Sequence, residues 1–252
     1  MLHEQVAKAA NQMQHRVQNL YPQVVCYVCL KNKPMTEADF TQITPAPWTL
    51  RGEGYMIFYR FSRHFVERQV CLPAQWAQCF EGFLGSVMLV NYTESPVGPY
   101  RELLFMPGIF RSPYGRRFSI THIAVDSEAS TQSGRANWGI PKVTRAFQAE
   151  RDGAVERVQV LDADGQPYFR MSLRSGGWSF PVSTSLLPLR LVQEWQGRTY
   201  LTEPRGWGRG QLARVSDVQV NADLFPDICR ASPLLAIRVT DFSMHFPPSR
   251  IC

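Results

Sequence analysis

VERVQVLDADGQPYFRMSLR, residues 155–174, reads as two strands and the turn that joins them. Asp162-Ala-Asp-Gly165 supplies turn chemistry, since Asp bonds its own backbone and Gly accepts a positive φ. After the turn, Phe169, Met171 and Leu173 alternate with Arg170, Ser172 and Arg174, the period of a half-buried strand. Working outward, the same signal recurs upstream in VVCYVCL (24–30), GYMIFYRF (54–61), GSVMLVNYT (85–93), YRELLFMP (100–107), RFSITHIAV (117–125) and VTRAFQAE (143–150). It recurs downstream in LARVSDVQV (212–220) and LLAIRVTDFSM (234–244).

Helical periodicity is sparse. Leu2, Val6, Ala9, Met13, Val17 and Leu20 predict an N-terminal amphipathic helix. Two short helices are expected later, around PAQWAQCFEGF (73–83) and over SEASTQSGRANW (127–138), the latter with Asp126 or Ser127 as its cap. Many strands with few helices between them predict a mainly β (α+β) fold, an antiparallel barrel-like sheet with an N-terminal helix and few short helices. No linker, repeat or charge block divides the 252 residues, so one domain is expected: an N-terminal extension over 1–45 and a β-rich core over 46–252.

The net charge of +6 comes from scattered arginines without an interleaved aromatic stripe, which argues against nucleic acid as a partner. No apolar run reaches the ~18 residues of a membrane span, and residues 1–20 lack a signal-peptide core, so no membrane and a cytoplasmic location are expected. Cys26-Tyr-Val-Cys29 has metal or redox spacing, but its two thiols would face opposite sides of a strand and no second pair exists. Free thiols, no metal and no cofactor are the expectation.

Two residues stand out chemically. Of 27 Lys plus Arg only Lys8, Lys31, Lys33 and Lys142 are lysines, and Lys142 sits among arginines in the apolar, Pro-fixed segment NWGIPKVTRAF (137–147). An arginine cannot lose its proton in a protein, whereas a buried lysine can become a nucleophilic amine. Glu102 is the second: alternation places it on a face with Tyr100, Leu104 and Met106, where a carboxylate must be paired, protonated or exposed by twisting. Each also has a plain structural reading, a chance survivor of an Arg-rich composition and an ordinary ion-pair partner.

SGRANWGIPK (133–142) resembles the active-site segment of the acetoacetate decarboxylase family, a Gly-Arg pair followed after a spacer by Pro-Lys. GPYRE (98–102) is similar to that family's Gly-x-Tyr-x-Glu, and LRGEGYMIFYRF (50–61) resembles its early strand bearing an active-site arginine. The alignable region runs from about residue 50 to 245. The resemblance implies a β-rich barrel-like fold in homo-oligomers. It implies that Lys142 forms a Schiff base with a substrate ketone, that Glu102 is the acid/base carboxylate, and that Arg51, Tyr100 and Arg135 meet a small anionic or carbonyl substrate. The implied reaction is decarboxylation of a small 3-keto acid, in which the protonated imine takes up the electrons of the broken bond.

Val143 stands where the decarboxylases carry a second lysine, and Ala136 where the Gly-Arg pair is usually followed by glutamate. In a strand, residue 143 would face away from residue 142. Desolvation is then the expected cause of a depressed Lys142 pKa, opposed by Glu102 if it lies close. The departures leave open an aldolase or dehydratase using the same imine, and a barrel that only binds an organic acid or hydrophobic ligand.

Overall fold

The computed structural model describes residues 43–70, 76 and 78–252. The expected N-terminal helix, the strand at 24–30 and the Cys26–Cys29 pair lie outside them. In chain order the elements are β1 (Trp48–Tyr59), α1 (Arg63–Gln69), β2 (Phe80–Gly82), β3 (Gly85–Glu94), β4 (Tyr100–Met106), β5 (Ile109–Ser112), β6 (Gly115–Phe118) and β7 (His122–Val125). Then come α2 (Glu128–Trp138), β8 (Lys142–Thr144), β9 (Phe147–Asp152), β10 (Val155–Leu161), β11 (Pro167–Ser183), β12 (Leu191–Trp195) and β13 (Arg198–Thr202). β14 (Arg205–Val220), a 3-10 turn (Ile228–Arg230), β15 (Leu235–Phe246) and β16 (Arg250–Ile251) complete the chain.

Ten strands form one sheet in the order β8-β7-β4-β3-β1-β15-β14-β11-β10-β9, and a six-stranded sheet runs β16-β13-β12-β6-β5-β2. Pairing is antiparallel except where β7 meets β8 and β12 meets β6. The edges of the larger sheet, β8 and β9, are separated in the chain only by Arg145 and Ala146. A ten-stranded sheet whose opposite edges are joined by two residues must curl back on itself. It forms a half-barrel.

The 155–174 hairpin forms as expected. β10 and β11 pair from Val155↔Arg174 to Val160↔Phe169, and Gly165 takes a φ of 77° in the turn. Phe169, Met171 and Leu173 are buried on the face that meets Ile57, Val87, Leu103 and Phe105 in the main core. A second cluster, with Trp48, Leu50, Leu104, Ile123, Trp138 and Ile140, lies on the other side of β4. Leu103 and Phe105 enter one cluster and Tyr100, Leu104 and Met106 the other, which is why YRELLFM reads as a nearly continuous apolar run.

Several expectations need correction. RFSITHIAV is not one strand: it passes from β6 in the small sheet to β7 in the large one, breaking at residues 119–121. VTRAFQAE breaks at Arg145-Ala146, where the chain steps between the two sheet edges. In the segment expected to be helical over 73–83, Phe80–Gly82 is strand β2, because Phe80 buries its ring against Phe110 of β5. Helix α1 was not anticipated; it is short, and its signal is Ser62, whose hydroxyl accepts the Phe65 N–H at 3.1 Å as an N-cap. The 127–138 helix is α2, capped by Ser127. Among the described residues, Cys79, Cys229 and Cys252 form no disulfide. Among the described residues no helix is long and apolar enough to cross a membrane.

Candidate active site

β7 lies between β4 and β8, with Glu102 opposite Val125 and Ile123 opposite Lys142. Partners across a ladder share a face, and Ile123 and Val125 are two residues apart, so Glu102 and Lys142 point to the same side of the sheet. The long lysine stem crosses β7 and brings its Nζ to 2.9 Å from Glu102 Oε2. Both side chains are nearly sealed, at 6% and 5% exposure.

Helix α2 packs over this pair and completes it. Ser130 Oγ accepts a second bond from Lys142 Nζ at 2.9 Å. The Tyr100 hydroxyl interacts with both Lys142 and Ser130, and the Tyr100 ring centre lies 5.0 Å from the nitrogen. An ammonium has three donors, and here three acceptors converge on it. The Tyr92 hydroxyl donates to the other Glu102 oxygen at 3.3 Å. Ser130 and Tyr92 were not singled out in the sequence. Ser130 was readable only once SEAS was placed on a helix facing the lysine.

The motif residues have distinct duties. Gly134 lies where the lysine stem passes: a Cβ there would stand 2.7 Å from Lys142 Cδ and 2.9 Å from Cε. Gly139 ends α2 with a φ of 62°, and its missing side chain makes room for the Tyr200 ring. Arg135 does not line the site. Its Nε donates to the Lys142 carbonyl at 2.9 Å and its guanidinium stacks 5.3 Å over Trp195, so it holds the β8 backbone rather than a substrate. Val143 packs against the main core on the opposite face from Lys142. A lysine at 143 would not share the pocket.

Arg51 also stays out. On β1, Trp48 and Leu50 turn inward, while Thr49 and Arg51 alternate outward. Arg51 is exposed and lies 3.8 Å from the equally exposed Glu94. The structure brings Lys142, Glu102 and Tyr100 together, and strand alternation separates Arg51 from them.

The electrostatics correct a further expectation. Burial is the largest single influence on Lys142 and by itself lowers its pKa, but Glu102 and Tyr100 together outweigh it. The amine is held above its ordinary value, and at rest it is an ammonium. Burial pushes the Tyr100 phenol up to about 12, against the opposing pull of Lys142. Tyr92, fully enclosed, is raised well above its usual range, chiefly by burial and then by Glu102. Both phenols are neutral donors at ordinary pH.

The pair opens onto a cavity of about 500 Å³ between the half-barrel, α2 and the loop after β11. Among the described residues lining it, only Glu102 and Lys142 carry charge. No cluster of three or more His, Cys, Asp or Glu suited to a metal ion occurs among the described residues.

No family model matches the chain. Part of it, 111 residues or 42% of its length, is 29% identical to Protein NEOXANTHIN-DEFICIENT 1 of Oryza sativa subsp. japonica, a match that spans 35% of that protein. Solved structures match far more of the chain. Acetoacetate decarboxylase from Legionella pneumophila subsp. pneumophila str. Philadelphia 1 superposes with a TM-score of 0.64 at 11% identity, covering 84% of this chain and 89% of that one. An acetoacetate decarboxylase-like enzyme from Sphingomonas wittichii RW1 gives 0.60 at 13% identity over 88% and 98%. The enduracididine biosynthesis enzyme MppR gives 0.62 at 15% identity over 83% and 89%, and a further structure holds it with the condensation product of pyruvate and imidazole 4-carboxaldehyde. The curled ten-stranded sheet, with one buried lysine on its edge strand, thus has the fold of the acetoacetate decarboxylase-like family.

Proposed function

We propose that the protein is a Schiff-base-forming lyase in which Lys142 captures the carbonyl of its substrate. The observation that carries this reading is the Lys142–Glu102 contact at 2.9 Å, on the wall of an otherwise uncharged cavity. A large apolar cavity with a few convergent polar groups is where a binding or active site is first sought, and a nucleophile beside its base fits that arrangement.

The resting ammonium must first lose a proton, and Glu102 Oε2 is in contact to take it. A neutral substrate that displaces water from the cavity favours this transfer, because a dry surrounding disfavours the charge-separated pair. The free amine adds to the carbonyl carbon. Glu102 returns its proton to the carbinolamine oxygen, which leaves as water and yields the iminium. In a 3-keto acid the bond to the carboxyl carbon then breaks, carbon dioxide leaves, and the electron pair moves into the iminium to give an enamine. Protonation of carbon and addition of water release the ketone and the lysine. Tyr100, neutral and beside the nitrogen, is placed to donate a hydrogen bond to the carbinolamine oxygen.

A second reading keeps the imine and changes the bond: an aldol or retro-aldol step on a neutral carbonyl compound. The cavity supports it. With Arg51 outside, a buried carboxylate would meet no cation but Lys142 itself, whereas a neutral carbonyl needs none. The product held by MppR comes from condensation of two carbonyl compounds, pyruvate and imidazole 4-carboxaldehyde, although pyruvate is itself an acid.

The test is borohydride reduction in the presence of ketones, 3-keto acids and aldehydes, with the adduct mapped by mass spectrometry. The label is expected on Lys142 and absent from Lys142→Arg, whose guanidinium cannot form an imine. Carbon dioxide release from 3-keto acids selects the first reading, and aldehyde release from hydroxy ketones selects the second. No adduct with any carbonyl compound would leave a barrel that only binds its ligand.

A further inference from the structure

We infer that the substrate is a carbonyl compound with a long apolar chain, of roughly 20 carbon atoms at most, lying along the inner face of β4 with its carbonyl at Lys142. This rests on the imine-forming role of Lys142.

Shape is the first argument. Tyr100, Glu102, Leu104 and Met106 share one face of β4 and all line the cavity. Met106 is four residues beyond Glu102, about 13 Å at roughly 3.3 Å per residue. Opposite Met106 on β3 stands Ser86, which lines the same far end. A short keto acid anchored on Lys142 would not reach it.

Volume is the second. A six-carbon ring settles in an apolar cavity of about 150 Å³. By that ratio the 500 Å³ here accommodates roughly three times as many atoms. A substrate of acetoacetate size would leave most of the wall without contacts, forfeiting the dispersion that close packing provides.

Lining chemistry is the third. Trp48, Leu104, Ile123, Trp138 and Phe246 make the interior mainly apolar, and beyond the Lys142–Glu102 end the lining holds no charged group, only neutral hydroxyls such as those of Ser86 and Ser243. The opening is apolar too: Leu186 and Trp207 line the cavity while remaining 82% and 63% exposed. Large side chains left in water at a cavity mouth fit the entry of an apolar ligand.

The experiment measures two properties over one homologous series. Binding is followed through tryptophan fluorescence with methyl carbinols, which have no carbonyl and cannot form an imine. Imine capture is followed by borohydride labelling with methyl ketones from acetone to methyl pentadecyl ketone. Affinity is expected to rise by about fourfold per methylene until the cavity is filled, then level off. Labelling of Lys142 should rise in parallel. Met106→Trp, which fills the far end, should weaken the longest carbinols about tenfold or more and bring the levelling-off to a shorter chain. Saturable binding that does not improve beyond the shortest members would overturn the inference, whether or not that variant folds. Chain-length selection without any adduct would overturn the imine and leave the apolar chain standing.

Discussion

Gly134 and Lys142 are in contact across the gap between α2 and β8, with no room between the glycine Cα and the lysine stem for a methyl group. The Gly-Arg pair and the Pro-Lys pair are therefore two halves of one device. Gly134 lets the stem pass, Arg135 binds the lysine's own carbonyl, and Ser130 one turn earlier accepts a hydrogen bond from its Nζ. Spacing within the motif is the spacing of a helix packed on the next strand.

Gly134→Ala should separate activity from stability. Alanine in a helix interior is favoured over glycine by about 0.5–1 kcal/mol. Against that, its methyl must push Lys142 Cδ away by several tenths of an ångström and loosen the bonds to Glu102 and Ser130. The expected result is a melting temperature within a few degrees of the parent, with Lys142 labelling and turnover reduced by about tenfold or more, as misplacement of a reacting group produces. Parent-level labelling would show that the stem has space to spare.

Glu102→Gln retains shape and removes both the charge and the proton acceptor. Glu102 is the main influence raising the Lys142 pKa, so the amine should become free at lower pH in the variant. Borohydride labelling measured against pH should move its midpoint downward. Turnover should nevertheless fall by about 10²–10⁴, the range for loss of a positioned acid or base. A downward shift with full turnover would reduce Glu102 to an electrostatic partner.

Stability should fall in alkali for a reason traceable to the same pair. The folded pKa of Lys142 lies above its ordinary 10.5, so the pair's contribution is fully present below that value and is lost as pH rises through the folded one. Tyr92 and Tyr100, both raised by burial, act with the same sign above pH 10. Lys142→Met removes the lysine's share. Melting temperatures between pH 8 and 11 should decline less steeply in the variant than in the parent, by an amount set by one proton. Equal slopes would mean that Lys142 does not titrate in the folded protein.

Where one face of an element was buried, the sequence was legible. The 155–174 hairpin, the inward face of β4 and the Ser127-capped helix followed from periodicity and caps. The breaks at 119–121 and 145–146 did not, because each lies inside one β-like run that serves two strands in turn, β6 and β7 in different sheets and β8 and β9 at opposite edges of one. Periodicity records burial, not which neighbour provides it. Lys142 and Glu102 were visible as a lone amine and a carboxylate on an apolar face, and their alternation was right. The sign of the lysine's pKa shift was not visible, since it depends on a distance across β7. Arg51 was carried by motif likeness alone, although the alternation of Trp48, Leu50 and Arg51 already placed it outside.

That placement gives the last prediction. Arg51 and Glu94 are both more than half exposed and 3.8 Å apart, a geometry worth little in water. Arg51→Ala should leave the melting temperature, ketone labelling and turnover of neutral substrates nearly unchanged. Arg135→Ala makes the contrast. It removes the donor to the Lys142 carbonyl and the stack on Trp195, so β8 loses its tie to α2. Labelling should drop while the binding of unreactive apolar alcohols persists, because the cavity wall itself is intact. Lysine at 135 keeps the charge but not the flat guanidinium, and should restore little. If Arg51→Ala instead abolishes turnover of keto acids alone, the arginine swings inward on binding and the substrate is an acid after all.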